Sequence, residues 1–245
     1  MLTFLKDHPF AVEAIFESSL VLTFAVPKEQ LQNLIPECLQ LDTFKDKFAF
    51  VAVAMVQTKY LRPKGFPKFM GSDFFLIGYR VFVRYKNNAG KSYRGLYILK
   101  SETDKKKMEF FGNIFTHYNY TTTDINQIEQ QNTKEISSIQ SKFKITIDKA
   151  KEQIALPEHS PFADWKEARR FAGPLPFTFS YKKKTKEVLI IEGVRQNWTP
   201  NPVKVIDYNF NFLSTLKLEN PLLANAFLIT NIPYQWKKGK IEQWK

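Results

Sequence analysis

Residues 105–107 are three consecutive lysines standing just ahead of a short apolar run, MEFFGNIF. A lysine crowded by other cations in a dry pocket can lose its proton near neutral pH, and the free amine then attacks a carbonyl. On a solvated helix end the same residues do no chemistry. A helical period over residues 104–115 favours the second reading. Its apolar face is Met108, Phe111 and Phe115, widened by Phe110 and Ile114; Lys105 and Lys106 point away from it and Lys107 borders it. Asp104 or Thr103 is expected to cap this helix. The helix dipole disfavours lysines in the first turn by only about 0.3–1 kcal/mol, a cost a solvated face tolerates.

Few other residues have the chemistry and setting of a site. Lys100 ends an apolar strand on the face of Leu96 and Ile98 and is the remaining candidate for a desolvated amine, although strand-end lysines commonly snorkel into water. His117 and Tyr118 follow the helix; either has a group that can handle a proton or hold a ligand. The three histidines, His8, His117 and His159, lack metal-ligand spacing, so no metal is expected. Cys38 follows Pro36 with no adjacent base to form a thiolate. No phosphate-cradling glycine loop and no nucleophile elbow occurs, and no cofactor is expected. Glu167 and Arg170 have the spacing of a surface ion pair.

The hairpin signalled by KNNAG at 86–90 is more informative. If its loop centres on Asn88 and Ala89, side chains whose numbers sum to 177 share a face. One face then holds Leu76, Gly78, Arg80, Phe82 and Arg84 opposite Tyr93, Gly95, Tyr97 and Leu99. Gly78 and Gly95 remove side-chain volume beside Arg80 and Tyr97. A hollow lined by aromatics and holding one guanidinium suits a carboxylate. The competing arrangement packs Tyr97 in the core and leaves the head of Arg80 in water.

The elements that must carry these residues are mostly strands. Of 245 residues 44% are hydrophobic and 15% aromatic, including 23 Phe, which excludes overall disorder and favours sheet. Residues 12–26 read as a strand pair or one bent strand, and 27–36 as a short helix between Pro27 and Pro36. FAFVAVAMV at 48–56 begins a long strand apolar on both faces. RPKGFPKFMG at 62–71 is a loop, and 121–135 reads as a polar loop. KFKITIDKAKEQIAL at 142–156 restarts strand character. PFADWKEARRFAG is a short helix closed by Gly173, FTFSYKKKTKEVLIIEGV is a hairpin, and VKVIDYNFNFL and AFLITNIPYQW add strands. Many strands, few short helices and no βαβ alternation predict a mainly β (α+β) fold, a large antiparallel or mixed barrel formed by one domain over 1–245.

The formal net charge of +12 raises a nucleic-acid reading, but the basic groups are scattered, lysine greatly outnumbers arginine, and no binding motif appears. The longest apolar stretch is far short of a membrane span. One cysteine and no signal-like apolar run near the start fit a reducing cytoplasm, which leaves the sequons at Asn119 and Asn197 without weight.

In the order of these features, VPKEQLQNLIPECLQLDTFKDKFAFVAVAM, RPKGFP, FLIGYRVFV and GLYILKSETD leading to Gly112, the chain resembles the acetoacetate decarboxylase-like superfamily, in particular an uncharacterised bacterial branch. DWKEARRFAGPLPFTFSY and VRQNWTPNPV extend the resemblance over most of the length. It implies a cone-shaped β-barrel with a few flanking short helices around an internal pocket. The decarboxylase works through a lysine Schiff base beside a second lysine; the matching positions here fall near Asn119, Tyr120 and Thr121, and no lysine stands there. The family's glutamate position is Leu76, while its arginine is kept as Arg80. The resemblance also places Arg62 in a loop near the pocket mouth.

The sequence thus points to a small organic or keto acid as ligand, bound by Arg80, Tyr97, Tyr118 and Arg62, without Schiff-base decarboxylation. Two alternatives stay open: a lyase using a displaced lysine, with Lys100 or His117 as catalytic candidates, and a basic surface for polyanions. No specific nucleic acid and no membrane partner is expected; self-association is left open.

Overall fold

The computed structural model describes residues 3–149, 154–196 and 198–245. Residues 150–153 of the KFKITIDKAKEQIAL stretch and the sequon residue Asn197 lie outside these described residues. The chain opens with β1 (Val12–Pro27), β2 (Gln40–Leu41), β3 (Phe48–Pro63), β4 (Ser72–Lys86) and β5 (Ser92–Thr103), followed by α1 (Lys106–Phe115) and β6 (Tyr120–Thr122). Next come β7 (Asn126–Gln130), β8 (Thr133–Ser138), β9 (Phe143–Asp148) and α2 (Trp165–Ala172). The remainder is β10 (Phe177–Lys182), β11 (Glu187–Arg195), β12 (Asn201–Pro202), β13 (Lys204–Phe210), α3 (Asn211–Thr215), β14 (Leu222–Trp236) and β15 (Lys240–Gln243).

Seven strands close into a ring in the order β14–β1–β3–β4–β5–β10–β11, with β11 returning to β14 through the pairs Gly193–Trp236, Val194–Gln235 and Arg195–Tyr234. Neighbours in the ring are antiparallel except β5 and β10, so the expected mixed barrel is what forms. Closure satisfies backbone groups that an open sheet would leave at its edges. A second sheet, β13–β9–β8–β7, covers part of the outside. Phe24 of β1 meets Tyr208 and Phe210 of β13 at centroid distances of 5.2 and 6.2 Å, and Tyr79 of β4 meets Phe212 at 4.6 Å. Strands β1, β3 and β4 therefore bury both faces, one against this outer layer and one in the ring, which is why FAFVAVAMV has no polar alternation.

One end of the ring is plugged by phenylalanines. Phe50 stacks on Phe162 at 5.6 Å, and Phe44 and Phe171 pack around them against Ala168 and Ala172 of α2. Burying such a ring contributes about 1.5–3 kcal/mol. Helix α2 starts at Asp164, whose Oδ1 accepts from Glu167 N at 2.7 Å; Glu167 accepts from Ala163 N at 2.7 Å rather than pairing with Arg170.

Several local expectations are corrected. Residues 28–34 form two 3-10 turns, not an α-helix. Residues 121–135 carry β6, β7 and the start of β8; β7 is exposed along its length, so it has no apolar alternation to announce it. Neither Asp104 nor Thr103 caps α1. Asp104 accepts from Phe75 N at 2.7 Å, and Lys105 occupies the cap position without a side-chain hydrogen bond that caps the helix. Helix α1 is also rotated from the expected face: Phe110 and Phe111 are exposed, while Met108 and Gly112 turn inward. Gly112 decides this, because a Cβ there would run into the Tyr120 ring. Lys105, Lys106 and Lys107 are exposed.

Candidate functional site

The ring encloses a cavity of about 120 Å³, walled by side chains from all seven strands and closed by the segments after α1 and α2. A space of this size holds more than one water and accommodates a small organic molecule. Most of its wall is apolar, with Val21, Ala52, Ala54, Val56, Leu96 and Ile98 among the lining residues. The polar groups that reach it are Ser19, Arg80, Ser101, Tyr118, Tyr120, Thr178, Arg195 and Tyr234. Among the described residues, no carboxylate, lysine or histidine lines it.

Arg80 enters from β4, where period-two alternation puts Leu76, Arg80 and Phe82 on the inner face. Its guanidinium folds back over Gly78: a Cβ on Gly78 would lie 2.8 Å from Nε and 3.1 Å from Nη2. The Nε is buried without a hydrogen-bond partner, and no ion pair reaches the group among the described residues. Burial pulls its pKa below the usual arginine value, opposed by Tyr234, Tyr120 and Tyr118; an arginine so shifted is still charged at neutral pH. Along the same hairpin, Arg84 and Arg94 grip the fully buried Asp42, each through Nε at 2.6 Å. This hairpin therefore satisfies two of its guanidiniums with a carboxylate and leaves Arg80 with none.

The phenols are held by the far end of α1. Asn113 Oδ1 accepts from Tyr120 N at 2.7 Å and its Nδ2 donates to Tyr120 O at 2.9 Å, while Gly112 lets the helix lie on the Tyr120 ring. Asn119 takes a left-handed turn, φ 51°, a conformation asparagine tolerates. Burial raises the Tyr120 phenol to about 12 and raises Tyr118 as well. The Tyr118 hydroxyl is buried with Thr178 as a polar neighbour and forms no well-aligned hydrogen bond among the described residues. Tyr234 stacks on Phe16 at 4.5 Å, and its hydroxyl fills the space where a Cβ on Gly193 would stand. All three phenols are neutral hydrogen-bond donors at neutral pH.

The expected face of the hairpin is corrected by its register. Arg80 lies opposite Ile98, and Val81 opposite Tyr97, so Tyr97 is on the outer face of the barrel with the apolar core and does not reach the cavity. The loop is one residue longer than the expected centre implied, and a shift of one residue moves a side chain to the other face. A bulge between Tyr79 and Arg80 then turns the end of β5: Lys100 pairs with Tyr79 and Ser101 with Gly78. Lys100 therefore leaves the side of Leu96 and Ile98. Its Nζ meets Glu102 at 2.8 Å and lies 5.2 Å from the Phe212 ring, outside the cavity.

Arg62 is also away from the cavity. Its guanidinium donates to the Phe66 and Tyr60 carbonyls at 2.8 Å each and pairs with Glu13 at 2.7 Å, holding the loop it belongs to. His117 Nε2 meets Asp7 Oδ1 at 3.1 Å and does not line the cavity. Of the six residues singled out in the sequence, Arg80 and Tyr118 come together there. Cys38 is buried, its thiol pushed up to about 12 by desolvation. Among the described residues, no cluster of His, Cys, Asp and Glu could hold a metal ion.

Sequence reasoning missed Arg195, Tyr120 and Tyr234. Arg195 ends β11, donates through Nη2 to the Pro174 carbonyl, and lies 5.5 Å from the Trp198 ring and 5.9 Å from the Tyr234 ring. Its Nε is buried and unpartnered. A signal was present: Gly193-Val194-Arg195 repeats the pattern of Gly78-Tyr79-Arg80, a glycine two residues before an arginine on an apolar strand.

A ring-closed mixed barrel of this kind has similar folds among solved structures. Residues 14–242 match the family DUF2071, described as an uncharacterized conserved protein, and the chain belongs to that family. Acetoacetate decarboxylase from Legionella pneumophila is similar in structure, with a TM-score of 0.62 and 12% identity over 96% of this chain and 88% of that one. An acetoacetate decarboxylase-like enzyme from Sphingomonas wittichii gives 0.58 and 10% identity over 98% and 94%. The enduracididine biosynthesis enzyme MppR, in complex with pyruvate, gives 0.55 and 9% identity over 95% and 90%. At these identities the likeness shows the fold. No curated protein matches the chain in sequence.

Proposed function

We propose that this chain binds a small organic or keto acid inside the barrel, with Arg80 receiving the carboxylate and the Tyr118 phenol shaping the site. The observation that carries the reading is a guanidinium whose Nε is buried without a hydrogen-bond partner, in a cavity that offers no carboxylate among the described residues. An uncompensated buried charge is costly, and a carboxylate ligand would compensate it with charge-assisted, bidentate hydrogen bonds. The complex of the similarly folded MppR with pyruvate supports an acid of this size. The reading takes residues 1–245 as one domain acting in the cytoplasm. It assigns no Schiff-base chemistry, since Lys100 is engaged with Glu102 on the outer side of the wall.

The test is thermal melting with pyruvate, acetoacetate, acetate and 2-oxobutyrate. A ligand at a hundred times its Kd stabilises by about 2.7 kcal/mol, and Arg80→Ala is expected to abolish the gain. Equal stabilisation of wild type and Arg80→Ala would overturn the assignment of Arg80. Borohydride trapping with the same keto acids, read by intact mass, is expected to leave every lysine unmodified; a localised adduct would restore imine chemistry.

A further inference from the structure

Arg80 accounts for only one of the two unpaired cations in the cavity. Arg195 lines it as well, and strands β4 and β11 are as far apart as a seven-membered ring allows, three steps one way and four the other. The two guanidiniums therefore enter from opposing walls. Both have a buried Nε without a partner. Arg195 is already oriented: the Pro174 carbonyl holds Nη2, and the Trp198 and Tyr234 rings flank the guanidinium plane at 5.5 and 5.9 Å. The Tyr234 hydroxyl is its other polar neighbour and is neutral, so the fork has donor capacity left for an anion. The aromatic contacts offset part of the cost of burying the charge, but they supply no anion.

A monocarboxylate would neutralise one guanidinium and leave the other without an anion in the same enclosed space. We infer that the preferred ligand carries two carboxylates, one received by Arg80 and the second by Arg195 across the barrel. This rests on the reading of the barrel as an acid-binding pocket and adds the class of acid. Tyr234 lines the cavity, interacts with both arginines and offers the ligand a neutral hydroxyl. Arg195 is thus a specificity-determining residue, and its fixed fork suits a carboxylate better than a lysine ammonium would.

The experiment is calorimetric titration of wild type, Arg195→Gln and Arg195→Lys with acids matched in carbon number: succinate against butyrate, and 2-oxoglutarate against 2-oxopentanoate. Wild type is expected to bind each dicarboxylate about tenfold or more tightly than its partner, the effect of one further charge-assisted contact. Arg195→Gln should erase that ratio, and Arg195→Lys should keep part of it. A purely structural Arg195 would lower the melting temperature without moving the ratio. If wild type binds monocarboxylates through Arg80 with no dicarboxylate advantage, the second-anchor assignment fails and the acid-binding reading stands. If no acid binds, both fail. Should Arg195→Gln not fold, the ratio in wild type and in Arg195→Lys still decides.

Discussion

Replacing Gly78 with alanine tests the geometry of the site with one carbon atom. The new Cβ would stand 2.8 Å from Arg80 Nε, closer than a Cβ comes to another atom, and a tight 3.1 Å from Nη2. What yields is the end of a long side chain bordering open space, so the guanidinium swings away and the barrel wall stays in place. Strand glycine costs about 0.5–1 kcal/mol relative to alanine, which offsets most of the strain. Stability should therefore change by less than about 1 kcal/mol, a few degrees in Tm at most. Binding should respond far more. A hydrogen bond to a charged group contributes about 1.5–3 kcal/mol, so a misaligned Arg80 weakens acid binding by about 10- to 150-fold. Calorimetric titration with pyruvate and acetoacetate, alongside thermal melts of the same preparations, separates the two effects. Wild-type affinity in Gly78→Ala, with binding lost in Arg80→Ala, would refute the claim that Gly78 fixes the guanidinium.

Gly193→Ala should behave differently, because its Cβ would collide with a Tyr234 hydroxyl whose ring is wedged between Phe16 and Trp236. The expected loss is about 1–3 kcal/mol, measured by urea denaturation. Asp42→Asn should cost roughly 3 kcal/mol in the same assay, near the low end for breaking a buried pair, since Arg84 and Arg94 keep contact with water. Asp124 is held at about 2 by hydrogen bonds from Ser138, Gln140 N, Ile139 N and Thr123, below its ordinary value of 3.8. A depressed carboxylate pKa stabilises the fold above the unfolded value and loses that contribution as pH falls through the folded one. Acid unfolding of Asp124→Asn should therefore be flatter than wild type between about pH 4 and pH 2.

The architecture was legible because its signals are local. Strand character at 12–26, the two-faced apolar strand at 48–56, the turn at 86–90, the lysine turn at 182–186 and the Asp164–Gly173 helix follow from side-chain period and from turn and cap residues that act within a few positions. The same local chemistry pointed to Arg80 through the missing side chain of Gly78. Exposed strand β7 escaped because a strand on the outside of a second sheet needs no apolar face.

What the tertiary structure alone decided is which side of the wall each candidate occupies. A loop one residue longer than assumed sends Tyr97 outward, and one bulge puts Lys100 with Glu102 and Ser101 in the cavity. Side-chain direction in a strand reverses with every residue, so a register error too small to disturb the hydrophobic pattern inverts the site. Arg195 and Tyr234 reach the cavity only because β11 and β14 close the ring. Closure is a pairing between distant segments with no local signature, and it is closure that brings the second guanidinium opposite the first.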